Sequence, residues 1–136
     1  MTRAMALSCC LLASATPARA AEASEAAALQ AAEAWLKLID TGQYGASWDG
    51  ASSSFRKAVP RSTWEKKAAA AREPLGKVLE RKVSSQELTH ELPGAPDGTY
   101  VLLIFDTRFE HKERGHETVI MTLDDGRFRA ASYFIR

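Results

Sequence analysis

The chain has 136 residues, with 18 Lys+Arg against 17 Asp+Glu, 46% hydrophobic residues and two cysteines. That length favours one domain, and the composition is that of an ordinary globule with enough apolar residues to build a core. A charge balance this near to neutral argues against non-specific nucleic-acid binding, which needs a clustered basic surface.

Residues 1–20, MTRAMALSCCLLASATPARA, stand apart. Arg3 is followed by a short apolar run from Met5 to Ala15, then by Pro17 and the small-x-small triplet Ala18-Arg19-Ala20. The run falls short of the about 20 residues that span a bilayer as a helix. The pattern predicts an export signal cut after Ala20, with a cut after Ala23 as second choice, and a mature protein in the periplasm or outside the cell. Cutting there removes Arg3 and Arg19, leaves 16 Lys+Arg against 17 Asp+Glu, and moves the net charge from +1 to −1. Cys9 and Cys10 go too, so the mature single domain, 21–136, has no thiol, disulfide or Cys-based metal site. A lipid-anchored alternative would keep Cys9 or Cys10, but only Met5-Ala6-Leu7-Ser8 forms an apolar stretch before them.

Residues 24–40, SEAAALQAAEAWLKLID, are strong helix formers. Ser24 suits the N-cap and Glu25 the positive end of the helix. Leu29, Ala32, Leu36 and Ile39 share a stripe with Trp35 beside it, and Gly42 suits the C-terminal stop. A second helix places Trp48, Ser52, Phe55 and Val59 on one face and ends at Pro60. Ser62-Thr63-Trp64-Glu65 has a capping-box pattern, which predicts a third helix from Ser62 to about Glu73, before Pro74. The rings of Trp48, Phe55 and Trp64 are then core, or else the wall of a pocket.

Beyond Pro74 the periodicity changes. VLERKVSSQELTHEL reads as one or two strands with poor alternation, and Pro93-Gly94 and Pro96-Asp97-Gly98 mark turns. TYVLLIFDTRFE is the clearest strand, HKERG a polar turn, HETVIMTL a strand, DDGR a hairpin turn and FRAASYFIR the last strand. A two-residue turn at Asp125-Gly126 pairs Leu123 with Phe128, Met121 with Ala130, Val119 with Ser132 and Glu117 with Phe134. Leu103, Phe105, Thr107 and Phe109 join that face, which is apolar except for Thr107, Glu117 and Ser132. The other face carries Ile104, Asp106, Arg108, His116, Thr118, Ile120, Thr122, Arg129, Tyr133 and Ile135. Its mixed character suits a half-wet surface or pairing with a second copy as a homodimer.

Three helices followed by a bent antiparallel sheet resemble the cone of the nuclear transport factor 2-like (cystatin-like) fold, an α+β architecture. The wording is closer still to a bacterial family, domain of unknown function 4019. The likeness lies in AWLKLIDTGQYGASWDGAS, in FRKAVPRSTWEKKAAAAREPLGKVLERKV and in LPGAPDGTYVLLIFDTRFEHKERGHETVIMTLDDGRFRAASYFIR. Two departures are Phe128, where tryptophan is expected, and Ala131. The resemblance implies an exported single domain and no particular activity.

Enzymes of the wider fold do acid–base work with a carboxylate, histidine or tyrosine set against an apolar cavity. Here the inward carboxylate is Glu117. Among Val119, Phe109 and Phe134 it needs a partner or a proton. Arg72 and Arg81, in that order, or the hydroxyls of Thr107 and Ser132, are the expected partners. Glu117 then belongs either to a structural ion pair or to a ligand or catalytic site. His90, His111 and His116 are scattered and share no metal-ligand spacing. No Gly-rich phosphate loop or nucleophile elbow indicates a cofactor or a covalent mechanism. The polar side of the first helix is not basic, which argues against a membrane surface. Two function classes remain: a non-catalytic module binding a small apolar ligand or a protein partner, and a small isomerase- or dehydratase-type enzyme using Glu117.

Overall fold

Thr16 and Pro17 start the first helix earlier than Ser24 would. The structure, a computed structural model, describes residues 14–136, so the front of the export segment, with Arg3, Cys9 and Cys10, lies outside the described residues. Helix α1 spans Pro17–Asp40. The Thr16 hydroxyl accepts from the backbone N–H of Arg19, and proline is pre-organised for the first helical position. The buried residues of α1 begin only at Ala28 and continue through Ala32, Trp35, Leu36 and Ile39.

The expected second helix is two. Helix α2 spans Tyr44–Asp49 and α3 spans Ser53–Ala58. Gly50 follows α2 directly, and the Ser52 hydroxyl accepts from the Phe55 N–H, so serine caps a new helix instead of sitting inside an old one. Helix α4, Arg61–Arg72, starts one residue before the capping-box position. Pro60 is its N-cap with φ −60° and ψ 145°, and no side chain caps it. Pro74 is taken up in a 3₁₀ turn, Glu73–Leu75. Four α-helices, rather than three, thus precede the sheet among the described residues.

The sheet is an antiparallel meander in the order β1-β2-β3-β4, and the fold class is α+β. Strand β1 is a single strand, Val78–Thr89; β2 is Tyr100–Phe109, β3 is Lys112–Asp124 and β4 is Arg127–Ile135. Lys112 already pairs with Phe109, so the turn before β3 is tighter than HKERG suggests. Asp125 and Gly126 both have positive φ, 52° and 75°, as a two-residue hairpin turn requires. Gly115 is held by space instead: a Cβ there would come within 2.8 Å of the Phe109 ring.

The hairpin register holds from Asp124↔Arg127 through Leu123↔Phe128 to Met121↔Ala130 and then shifts by one residue. Beyond the shift, Ile120 faces Ser132, Val119 faces Tyr133, Thr118 faces Phe134 and Glu117 faces Ile135. Ala131 is the extra residue of a β-bulge, and one extra residue reverses every side chain that follows it. Tyr133 therefore turns towards the helices, while Ser132 and Phe134 turn away, the reverse of the uninterrupted register. Leu123, expected inside, is 46% exposed near the hairpin tip. The core lies between the inner face of the sheet, with Val101, Leu103, Phe105, Val119 and Met121, and the apolar faces of α1 and α4. Among the described residues, no helix is long and apolar enough to cross a membrane.

Candidate functional site

Asp40 ends α1, a position where the helix dipole disfavours a carboxylate. Arg72 ends α4, and Arg81 lies on β1 directly opposite Thr107 of β2. Glu117 is on β3, and Tyr133 is diagonal to it on β4, because Tyr133 pairs with Val119. Each side chain comes from a different element, and together they form one cluster under the end of the sheet.

Glu117 is completely buried. Arg81 grips it with two N–H groups, Nε to Oε1 at 2.8 Å and Nη2 to Oε2 at 3.2 Å. The hydroxyl of Thr107 donates to Oε1 at 2.5 Å, and that of Tyr133 donates to Oε2. Each carboxylate oxygen thus accepts two hydrogen bonds, which is its full complement. The other edge of Arg81 reaches Asp40, with Nη1 to Oδ2 at 2.7 Å and Nη2 to Oδ1 at 2.9 Å. Arg72 completes the ring through Nη2 to Asp40 Oδ1 at 2.8 Å and Nη1 to the Tyr133 oxygen at 3.4 Å. Its Nη1 is 3.9 Å from Glu117 Oε2, and its guanidinium lies over the Phe109 ring at 4.9 Å. The order of the arginines is thus the reverse of that expected, with Arg81 the close partner and Arg72 the outer one.

Two guanidinium groups face two carboxylates, so the cluster carries no net charge. Burial would raise the Asp40 pKa, but hydrogen bonds and charge from Arg81, then Arg72, outweigh it and hold the carboxyl below its usual range. Burial and the adjacent Glu117 charge push the Tyr133 phenol well up. It stays protonated and donates. The Arg72 Nε is buried without a partner among the described residues. Two hollows of about 290 Å³ each approach the cluster, one touching Asp40 and Arg72, the other Asp40 and Arg81. Both reach Asp40, and Glu117 lines neither.

Ser132 is not in the cluster. Tyr133 holds the place assigned to it, as the bulge requires. Asp40 was missing from the sequence-derived set, although its awkward position at a helix C-terminus was a signal that it needed a cation.

The aromatic residues sit together next to this cluster. Trp64 is 7% exposed, and Trp48 and Phe55 are half-buried on separate helices. Trp64 donates through Nε1 to Ser47 Oγ at 2.9 Å, and Trp35 donates to the Ser47 carbonyl at 2.8 Å. Trp48 donates to the Val59 carbonyl at 2.7 Å. Phe55 meets Trp64 edge-on at 5.1 Å, and Trp35 meets Tyr133 edge-on at 5.5 Å. No group of three His, Cys, Asp or Glu able to hold a metal occurs among the described residues.

No curated protein matches the chain. Residues 31–133, from α1 to Tyr133, match the family described as Protein of unknown function (DUF4019). The chain belongs to that family, and the match takes in Asp40, Arg72, Arg81, Thr107, Glu117 and Tyr133.

Proposed function

We propose that this protein is an exported, non-catalytic module of the nuclear transport factor 2-like cone class, which works by binding a small apolar ligand or a protein partner. The cone is supported by a four-stranded antiparallel sheet with bulged strands, covered on one face by helices. The observation that carries the non-catalytic role is the saturation of Glu117. A general base needs a lone pair free to take a proton from substrate, and both Glu117 oxygens are occupied. The alternative is an acid–base enzyme using Glu117, in which Tyr133 would serve as its acid. Tyr133→Phe tests the choice, since it keeps the ring on Trp35 and removes the hydroxyl. For a structural hydroxyl the expected loss is about 1.5–3 kcal/mol in chemical denaturation, the range for hydrogen bonds to charged groups. Unchanged or increased stability would favour the enzyme, because functional groups are often kept at the expense of stability.

Export rests on the composition of residues 1–20 and is consistent with the packing, since no described residue before Ala28 is buried. Cleavage after Ala20 therefore leaves the core intact. The mature protein is expected to begin at Ala21. Mass spectrometry of a periplasmic fraction checks this, and an intact Met1 in the cytoplasm would defeat it.

The proposed partner of the open sheet face is a second copy of the chain. Leu102 and Ile120 lie opposite each other on that face, and Ile104 and Phe134 flank Thr118. Ile104 is 36% exposed and Phe134 40%. Tyr133 and Ile135, expected on that face, pair with the inward Val119 and Glu117 beyond the bulge, and Phe134 takes their place. Sedimentation of the purified protein is expected to show a dimer, and Ile104→Lys a monomer with an unchanged melting temperature. A monomer for the unaltered protein at high concentration would remove this partner.

A further inference from the structure

A groove of about 490 Å³ runs between α4 and β4, outside the Glu117 cluster. One wall is Trp64, Ala68, Ala71 and Leu75, and the other is the end of the edge strand β4, where Ile135 lies on the helix-facing side. That volume is in the range of small-molecule sites, about 300–1,000 Å³. Tyr133 also borders the groove, but its hydroxyl is committed to Glu117. The walls therefore offer an apolar surface and little that could recognise a polar ligand body.

The charge on the groove has one sign. Lys67 and Lys112 line it, and Arg136 is the third basic residue at its edge. No Asp or Glu side chain is among the lining residues. Neither lysine has a carboxylate within ion-pair distance among the described residues. An apolar trough beside unpaired ammonium groups is complementary to a molecule with an apolar body and one anionic end.

We propose that this groove binds a single-chain amphiphile ending in a carboxylate, taken up as a free medium-chain fatty acid. The inference rests on the non-catalytic binding role and gives it a site and a ligand class. The chain would lie along Ala68, Ala71 and Ile135, where removing apolar surface from water drives association. The carboxylate would sit at Lys67 and Lys112, where it gains orientation and specificity over a cationic amphiphile.

Isothermal titration of the purified protein with decanoate, below its aggregation concentration, tests this. Saturable binding at one molecule per chain is expected, with no binding of decyltrimethylammonium. The double variant Lys67→Glu/Lys112→Glu reverses two surface charges and should weaken decanoate binding by about tenfold or more. Ala71→Phe fills the trough from an exposed position and should abolish binding without changing the melting temperature. Failure of decanoate to bind, equal binding of both amphiphiles, or binding unaltered in both variants would overturn the proposal. Binding only to phosphatidylglycerol vesicles would overturn it as well, in favour of a membrane surface. Any of these results with Tyr133→Phe still destabilised removes the groove ligand and leaves the non-catalytic role standing. Tyr133→Phe without loss of stability removes that role, and the inference with it.

Discussion

Glu117→Gln is expected to destabilise the protein by about 3–5 kcal/mol, the cost of removing one partner from a buried ion pair. Glutamine keeps the shape but replaces one acceptor oxygen with an N–H₂ donor. If that donor takes the Oε1 place, it confronts the Arg81 Nε and the Thr107 hydroxyl; at Oε2, it confronts Arg81 Nη2 and the Tyr133 hydroxyl. Either orientation strands buried donors. The two arginines would also be left with Asp40 as the cluster's one carboxylate. Urea unfolding measures the loss, and the melting temperature should fall by on the order of 10 °C. Removing both charges with Glu117→Gln/Arg81→Gln leaves Asp40 and Arg72 balanced, so it should cost less than the sum of the single variants. A Glu117→Gln protein as stable as the original would mean that the carboxylate is kept for ligand or chemistry and not for the fold.

How much of this cluster could be read from the sequence depended on single residues. The alternation through Leu103, Phe105, Thr107 and Phe109 places those residues on the face where the structure buries them. Asp125-Gly126 anchors the hairpin, so the register from Asp124 to Met121 follows from turn chemistry. Glu117 stays inward whatever β4 does, because its orientation is set by its own strand and by the pairing with β2. Ala131 is where the sequence signal ends. A bulge has no strong signature in Ala-Ala-Ser, yet it exchanges Ser132 for Tyr133 beside Glu117. The helices failed in a similar way. Trp48, Ser52, Phe55 and Val59 have helical spacing, but Ser52 gains more as an N-cap, with its hydroxyl on the Phe55 N–H. The same residue fits both patterns, and tertiary contact decides, since the Ser52 N–H also binds the Ala130 carbonyl at 2.9 Å. Asp40 was open to inference from the helix dipole, but its two arginines come from elements 32 and 41 residues away. No local pattern names them.

Trp64→Ala is expected to cost about 3–5 kcal/mol, the range for deleting a large buried aromatic side chain. The ring is 7% exposed and packs on Phe55 at 5.1 Å and on Trp35 at 6.1 Å. Alanine would leave a cavity that α4 cannot easily close, because Ala68, the next inward residue of the helix, is itself only a methyl group. It would also take the indole donor from Ser47 Oγ, although that hydroxyl keeps its bond to the Tyr44 carbonyl at 2.6 Å. The polar loss is therefore small, and most of the effect is apolar packing. Trp64→Phe should then recover a large part of the stability, since phenylalanine refills most of the space without the N–H. Trp48→Ala should cost less than Trp64→Ala, since Trp48 is half-buried and packs at the edge of the core. Chemical denaturation of the three variants gives the order directly. A loss below about 1 kcal/mol for Trp64→Ala, with indole fluorescence in the intact protein typical of exposure to water, would contradict the packing. Trp64 would then be chiefly a wall of the groove beside β4 rather than part of the core beneath it.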